Sequence, residues 1–368
     1  MKEVQYKDFS WNVHQKLSRF PIVGESELTF ACCLRCDYCY TDCYNTPEHI
    51  QPQMSFVEIQ RILDLMRREG CLWLLLTGGD PMMRKDFFEI YDYAKSKGFL
   101  ITIFASGLLF TERAVEHLKK NPPFSIEVTI MGSNQEVYEA ISGVQGSWKR
   151  FLEGVHRVMD AGLPLKLKTV VCKQNYHDLE NLKKLLEGWG KELRPSTTIF
   201  ARLNGDRHPA TLRIAPEEVL EVRKKYGRFD FEEDPNQPRE FQEPYSEPSE
   251  YLFKCGAGYN TFRVDPMGRM IFCTTLREPS YDLRSSDDFH AGFKKMFAQI
   301  RSMKYQTDSK CRTCHMTHLC VKCPGKGLLE TGNREDPIDY FCELSTLTTR
   351  ELEEKRLARA REKFGFAS

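Results

Sequence analysis

Between residues 25 and 205 the chain alternates short apolar runs with amphipathic stretches, and that rhythm restricts the folds open to it. Apolar runs fall at Ser26–Ala31, Leu72–Thr77, Leu100–Ala105, Ser125–Ile130, Leu165–Val171 and Thr197–Leu203. Helical patterns lie between them at Phe56–Glu69, Arg84–Lys97, Thr111–Lys120, Trp148–Ala161 and Leu179–Trp189. Strands separated by helix-length connections pair in parallel, because a parallel crossover needs about a dozen residues or more. The pattern predicts an α/β fold, either an open, partial (β/α)6 barrel or a doubly wound sheet. Periodicity alone does not separate the two.

The remaining chain divides by composition. Residues 1–24 are charged and mixed, without the apolar core of a signal peptide. Residues 206–253 are rich in Pro, Glu, Asp and Arg, as in Asp234-Pro235-Asn236-Gln237-Pro238 and Glu243-Pro244, and suit a bridge broken by a short helix, Pro216–Tyr226. Residues 254–345 form a cysteine-rich domain, and 346–368 a charged C-terminal helix. Acids and bases nearly cancel, 52 against 53, so no electrostatic footprint for nucleic acid or an anionic membrane is expected. The longest apolar run, Leu72–Leu76, is too short to span a bilayer. Fourteen cysteines crowd into short C-x2-C and C-x3-C groups, which reads as metal ligation in a reducing compartment. A cytoplasmic protein is expected.

Cys32, Cys36 and Cys39 follow the first apolar run with spacing C-x3-C-x2-C. Three thiolates on one short loop hold three irons of a four-iron, four-sulfur cube and leave the fourth iron open. An open position separates catalytic from structural metal sites. A structural zinc site and plain burial of small apolar thiols are the competing readings. After the second run comes Thr77-Gly78-Gly79-Asp80-Pro81. By itself this is an ordinary turn, but at the end of a buried strand its glycines allow backbone to approach a ligand.

The two motifs together resemble those of the radical S-adenosylmethionine (radical SAM) enzymes, whose barrel is the partial (β/α)6 kind. The resemblance implies a 4Fe–4S cluster on Cys32, Cys36 and Cys39, with SAM chelated on the open iron. One electron would split SAM, and a 5′-deoxyadenosyl radical would take hydrogen from the substrate. Gly78, Gly79 and Asp80 would lie at the methionyl amino group of SAM; the family commonly has Glu where this chain has Asp80. Tyr38 matches an aromatic position beside the adenine, and Ser106 a polar position near the ribose. Glu127 and Thr129 share one face of the fourth strand, as Lys166 and Lys168 do on the fifth. Lys168 resembles a basic residue aimed at the SAM carboxylate; Glu127 and Lys168 are also the candidate catalytic groups. Either lysine facing solvent, or Glu127 simply pairing with one of them, is the alternative.

A second cysteine set reads Cys255-x12-Gly268-x4-Cys273, then Cys311-x2-Cys314-x5-Cys320-x2-Cys323, then Cys342. It resembles the SPASM extension of radical SAM enzymes that modify peptides and proteins, with the last spacing one residue shorter than usual. The resemblance implies one auxiliary 4Fe–4S cluster on Cys311, Cys314, Cys320 and Cys342. A second would use Cys255, Cys273 and Cys323, with no fourth cysteine to complete it. Zinc knuckles drawing on His315 and His318, and the haem-attachment pattern in Cys311-Arg312-Thr313-Cys314-His315, are rival readings. Cys71 and Cys172 are expected to be buried, and Cys33 and Cys43 have no assigned role.

The expectation is an enzyme acting oxidatively on a peptide or protein side chain, with ferredoxin or flavodoxin as electron donor. Roughly 25 residues before the first strand leave too little chain for a leader-binding domain, so leader recognition is expected to fall to a separate protein. Radical SAM chemistry on a small molecule such as a tetrapyrrole side chain is the alternative, and a non-catalytic iron–sulfur or zinc module a lesser one. RNA modification has no basic stripe to support it.

Overall fold

The computed structural model describes residues 19–51, 53–226 and 245–364, with side chains as far as residue 358. Most of the expected N-terminal segment, the Pro- and Glu-rich part of the bridge at 227–244, and residues 365–368 lie outside the described residues.

Five parallel strands form the expected sheet: β1 Val23–Thr29, β2 Trp73–Gly78, β3 Leu100–Ala105, β4 Ser125–Thr129 and β5 Leu165–Val170. Three of the helices between them begin where a short polar side chain caps a free backbone N–H group. Helix α1 (Phe56–Arg68) starts with a reciprocal capping box of Ser55 and Glu58. Helix α2 (Phe87–Ser96) follows β2, and α3 (Glu112–Lys120) is capped by Thr111. Helix α4 (Gln135–Ser142) is capped by Asn134 and ends at Gly143 in the left-handed region, φ 66°. Helices α5 (Ser147–Asp160) and α6 (Leu179–Gly188) complete the series.

Alternation along the strands sets two faces. Leu28, Leu74, Leu76, Ile101, Ile103 and Val128 point to the helices and are essentially inaccessible. Each such residue contributes about 1.5–3 kcal/mol of apolar burial. The residues between them, including Glu25, Thr77, Phe104, Glu127, Thr129 and Lys168, occupy the opposite, partly exposed face. Polar and charged side chains concentrated on that face mark it as the side turned to a ligand.

The sixth strand departs from expectation. Only Pro195–Ser196 pairs with β5, as β6, and the expected strand Thr197–Leu203 does not form. Its apolar residues are buried for other reasons. The Ile199 carbonyl accepts from Arg213 Nε at 2.9 Å, and the Leu203 amide donates to the Tyr40 carbonyl at 2.9 Å. The segment's backbone is thus spent on a side chain and a loop, not on a strand neighbour.

On the other side of β1 the sheet continues into the cysteine-rich region. Strand β7 (Thr261–Val264) runs parallel to β1, pairing Val23 with Thr261 and Ser26 with Val264. Antiparallel β8 (Arg269–Ile271) and β9 (Tyr281–Asp282) follow, giving the order β6-β5-β4-β3-β2-β1-β7-β8-β9. Asp265-Pro266-Met267-Gly268 is the turn between β7 and β8. The Asp265 carboxylate accepts from the amides of Met267 and Arg269, both at 2.9 Å, and Gly268 takes φ 79°.

Helix α7 (Pro216–Tyr226) follows the barrel, and α8 (Pro324–Thr331) and α9 (Asp339–Phe364) close the chain. The C-terminal helix therefore begins seven residues before the expected 346 and carries Cys342 in its first turn. It packs on α7 through a small separate core of Val219, Val222, Ile214 and Leu344. Among the described residues no helix is long and apolar enough to cross a membrane.

Candidate functional site

The Cys32–Cys39 loop leaves the end of β1 and rests on the end of β2. The Gly79 amide donates to the Thr29 carbonyl and the Asp80 amide to the Ala31 carbonyl, both at 2.8 Å. A Cβ on Gly79 would stand 2.4 Å from the Ala31 oxygen, and one on Gly78, at φ 141°, 2.2 Å from the Thr29 oxygen. These contacts are with backbone, which cannot swing aside, so the two glycines let the loop seat on the strand end. On its far side the loop is held by α4: the amides of Arg35 and Asp37 donate to the carbonyls of Ser142 and Ile141 at 2.9 Å. The Asn45 side chain closes the start of the loop, accepting from the Cys32 amide at 3.3 Å and donating to its carbonyl at 3.1 Å.

The Cys32, Cys36 and Cys39 side chains are free and partly exposed. The side chain of Cys33, together with burial, pushes the Cys32 thiol up, and burial with neighbouring Cys39 pushes Cys36 up. A metal held by these thiols would displace their protons. Among the described residues, no three His, Cys, Asp or Glu side chains converge on one point. A tetrahedral zinc ion needs its sulfurs about 2.3 Å from a common centre. A cube bridged by sulfide sets its thiolates further apart. The hydroxyls of Tyr38 and Tyr138 are buried with no hydrogen-bond partner among the described residues. Burial pushes both phenols well up, with Cys36 the next largest influence on each. Two unpaired donors beside three thiols suit sulfur acceptors, so the residues present fit an iron–sulfur cluster.

Asp80 is enclosed at the end of β2. It is 0% exposed and both oxygens are engaged: Oδ2 accepts from the Ser106 amide at 2.9 Å and hydroxyl at 2.5 Å, Oδ1 from the Met82 amide at 2.9 Å. Burial pushes its pKa up, against those hydrogen bonds. Asp80 and Ser106 bind each other and tie the end of β2 to the end of β3. Through Ser106, whose hydroxyl lies 3.4 Å from Cys33 Sγ, they position the cluster loop.

On the partly exposed face, Lys168 Nζ lies 3.4 Å from Glu127 Oε2 and over the Phe104 ring, 3.3 Å from its centroid. Burial pulls the Lys168 pKa down, and Glu127 opposes that. Thr129 is in register with Lys168, while Lys166 is exposed. Glu127 thus pairs with Lys168, the alternative weighed above. Residues not anticipated stand opposite on β1 and β7. Glu25 pairs with Arg263, and the fully buried Glu27 accepts from Arg277 at 2.7 and 3.2 Å. Burial pushes the Glu25 carboxyl up despite Arg263. The period-two placement of Glu25 and Glu27 in an apolar run was a usable signal for both. Asn45 and Tyr138 carried none.

Six cysteines of the second set share one cavity. Cys255, Cys311, Cys314, Cys320, Cys323 and Cys342 line one cavity of about 1350 Å³. That exceeds the ~300–1,000 Å³ usual for a small-ligand pocket. Cys273 stands behind it, linked to Cys323 through the Thr275 hydroxyl at 3.6 and 3.7 Å. His315 and His318 are on the same wall, and the His315 backbone carbonyl is bound by the Ser246 amide and hydroxyl. All fourteen cysteines are free, and Cys71 and Cys172 are buried as expected. The clustering of thiols far apart in sequence fits a polynuclear iron–sulfur site.

Residues 26–186 match the family model described as the Radical SAM superfamily. Among curated proteins, a stretch of 165 residues is 33% identical to the PqqA peptide cyclase of Granulibacter bethesdensis, covering 44% of this chain and 42% of that one. A stretch of 164 residues is 29% identical to the AdoMet-dependent heme synthase of Nitratidesulfovibrio vulgaris, covering 45% and 44%. The chain thus spans less than half the length of the curated relatives it matches. Solved structures share more of the fold. Streptococcus suis SuiB bound to precursor peptide SuiA aligns with TM-score 0.65 at 16% identity, covering 91% of this chain and 79% of that one. Native anSMEcpe with bound AdoMet and Cp18Cys peptide aligns with TM-score 0.65 at 14% identity, covering 93% and 99%. At these identities the likeness is one of fold.

Proposed function

With residues 26–186 forming a radical SAM domain, we propose that this protein is a SPASM-type radical SAM enzyme that oxidatively modifies a peptide or protein side chain. The observation that carries the reading is the cavity lined by six cysteines, in a region that β7, β8 and β9 join to the sheet bearing the Cys32–Cys39 loop. When bound, a 4Fe–4S cluster and SAM supply a 5′-deoxyadenosyl radical by reductive cleavage. Cys32, Cys36 and Cys39 would hold that cluster. Gly78 and Gly79 would bring backbone to the SAM methionyl end, with Asp80 and Ser106 fixing the strand end. Tyr38 would lie beside the adenine, and Thr129, Glu127 and Lys168 would face the space in which substrate and SAM meet.

Cys311, Cys314, Cys320 and Cys342 would hold one auxiliary 4Fe–4S cluster, and Cys255, Cys273 and Cys323 another. Such clusters suit the removal of a second electron from a substrate radical, hence a net oxidation. Peptide chemistry is supported by the PqqA peptide cyclase among the relatives and by peptide-bound structures among the fold neighbours. An external reductant of the ferredoxin or flavodoxin class would feed the first cluster, in a cytoplasmic setting, with a separate protein recognising any leader. The match to an AdoMet-dependent heme synthase favours one second reading, a tetrapyrrole side chain as substrate.

Anaerobic reconstitution followed by iron and sulfide counts tests the proposal. About twelve of each per chain is expected from three four-iron clusters. Supplied with SAM and dithionite, the protein should release 5′-deoxyadenosine and turn over a peptide from a candidate library. About four irons, or turnover with an iron porphyrin and with no peptide, overturns the peptide-modifying reading.

A further inference from the structure

The six-cysteine cavity is framed by positive charge. Lys254, Lys310, Lys322 and Lys326 line it, against one acidic residue among the described lining, Glu247. The chain as a whole carries a net charge of only +1, so this excess is local. Lys310 has a partner, Asp339 at 3.3 Å. Among the described residues, no carboxylate oxygen lies within 4.0 Å of Lys254, Lys322 or Lys326 Nζ. Lys326 is the telling case. Its ammonium donates to the Val321 carbonyl at 2.6 Å and sits between the Phe200 and Phe341 rings, 5.7 and 5.3 Å from their centroids. Glu330, a buried carboxylate one turn along the same helix, is already taken in a two-pronged pair with Arg213. An ammonium held in such surroundings is costly unless a negative charge faces it.

We propose that Lys326, with Lys254 at the exposed end of the cavity, is a positioning charge for the auxiliary clusters: its ammonium is the counter-ion of the thiolate-bound iron–sulfur site and raises that site's reduction potential. The proposal rests on the auxiliary-cluster reading above. Each electron added makes a thiolate-ligated cluster more negative, so a fixed positive charge stabilises the reduced form more than the oxidised one. At a separation on the order of 10 Å and an effective dielectric of ~20, one such charge is worth about tenfold in the reduced-to-oxidised ratio. For a one-electron couple that is ~59 mV. A raised potential makes the site a better acceptor for an electron leaving a substrate radical, and a poorer rival to the SAM-binding cluster as a reductant.

The experiment is an EPR-monitored redox titration of anaerobically reconstituted protein. Cys32, Cys36 and Cys39 are all replaced by Ala, so that only auxiliary clusters report. Lys326→Met should keep the iron content of its parent, while the midpoint of one cluster moves negative by about the tenfold ratio above. Lys326→Arg, which keeps the charge, should stay at the parental midpoint. Lys254→Gln, on an exposed residue whose ammonium donates to the Thr317 hydroxyl at 2.7 Å, should move the same way by less, and it is the deciding variant if Lys326→Met does not retain iron. An unchanged midpoint in an iron-replete Lys326→Met, or equal shifts in Lys326→Met and Lys326→Arg, overturns the charge assignment. Parent protein that holds no auxiliary iron fails the underlying reading itself, a result that cannot be confused with full iron and no shift.

Discussion

The pair Arg213–Glu330 joins three parts of the protein through one buried guanidinium, and its removal has a calculable cost. Arg213 and Glu330 side chains are 6% and 3% exposed. Arg213 Nε donates to the Ile199 carbonyl, and its two terminal nitrogens donate to the two oxygens of Glu330 on α8. The guanidinium also lies 4.9 and 4.5 Å from the ring centroids of Tyr340 and Phe341 at the start of α9. Glu330→Ala leaves that cation buried with a carbonyl and two rings, and should cost about 3–5 kcal/mol, the usual penalty for breaking a buried pair from one side. Arg213→Met should cost about as much, because it strands the carboxylate. The double substitution Arg213→Met/Glu330→Met removes both charges and keeps apolar bulk between the rings. It should lie within about 1–2 kcal/mol of the parent, less destabilised than either single change. Urea unfolding under anaerobic conditions, followed by circular dichroism and by iron release to a chelator, measures all four proteins. Because α8 starts directly after Cys323 and α9 carries Cys342, iron release should precede loss of helical signal in the single variants. A Glu330→Ala protein as stable as the parent, or a double variant worse than both singles, would refute the reasoning.

Further outcomes follow from the same geometry. Gly79→Ala should weaken SAM binding or loop iron retention at least tenfold while the protein still folds, since the new Cβ meets Ala31 and Phe30 oxygens at 2.4 and 2.6 Å; equilibrium SAM binding to reconstituted protein reads it. Asp80→Ala leaves the Ser106 amide, the Ser106 hydroxyl and the Met82 amide without their acceptor, and should destabilise by ~3 kcal/mol in a urea series. Asp80→Glu should destabilise as well, by about 1–3 kcal/mol, because the longer arm has no room in a fully buried slot. The Ser55 backbone amide and hydroxyl push the Glu58 carboxyl down to about 2 from 4.5. Its stabilising contribution is therefore whole above pH ~4.5 and is lost as pH falls toward 2. The stability gap between parent and Glu58→Gln should close over that window, and a gap independent of pH would contradict it.

Sequence periodicity was informative where an element's stability is local. Strand β3 and helix α7 begin and end where the apolar pattern does, at Leu100–Ala105 and Pro216–Tyr226. The grouping of Cys32, Cys36 and Cys39 was legible because all three lie on one short loop. Elements stabilised by distant partners were not legible. Strand β7 has four residues, and its partner Val23–Ser26 lies more than two hundred positions away. The stretch Thr197–Leu203 has the burial of a strand but gives its backbone to Arg213 and Tyr40. Helix α4 was overlooked although its Asn134 cap and Gly143 stop are both written in the chain. Asp80 shows what a motif leaves out: beside its two glycines it reads as a ligand-binding group, and the fold adds that its carboxylate accepts from Ser106 across the strand ends.

Strand β1 is flanked by β2 on one side and β7 on the other, so it has no free edge. The barrel and the cysteine-rich region are therefore a single hydrogen-bonded body, and the boundary drawn from composition near residue 206 is not a place where the protein can be cut. A fragment ending there would bare the β1 backbone from Val23 to Ser26, and with it Glu25 and Glu27, stripped of Arg263 and Arg277. Such an edge invites pairing with other chains. The isolated first half is expected to aggregate as it is made, so the stability of each half rests on the strand pairing it shares with the other.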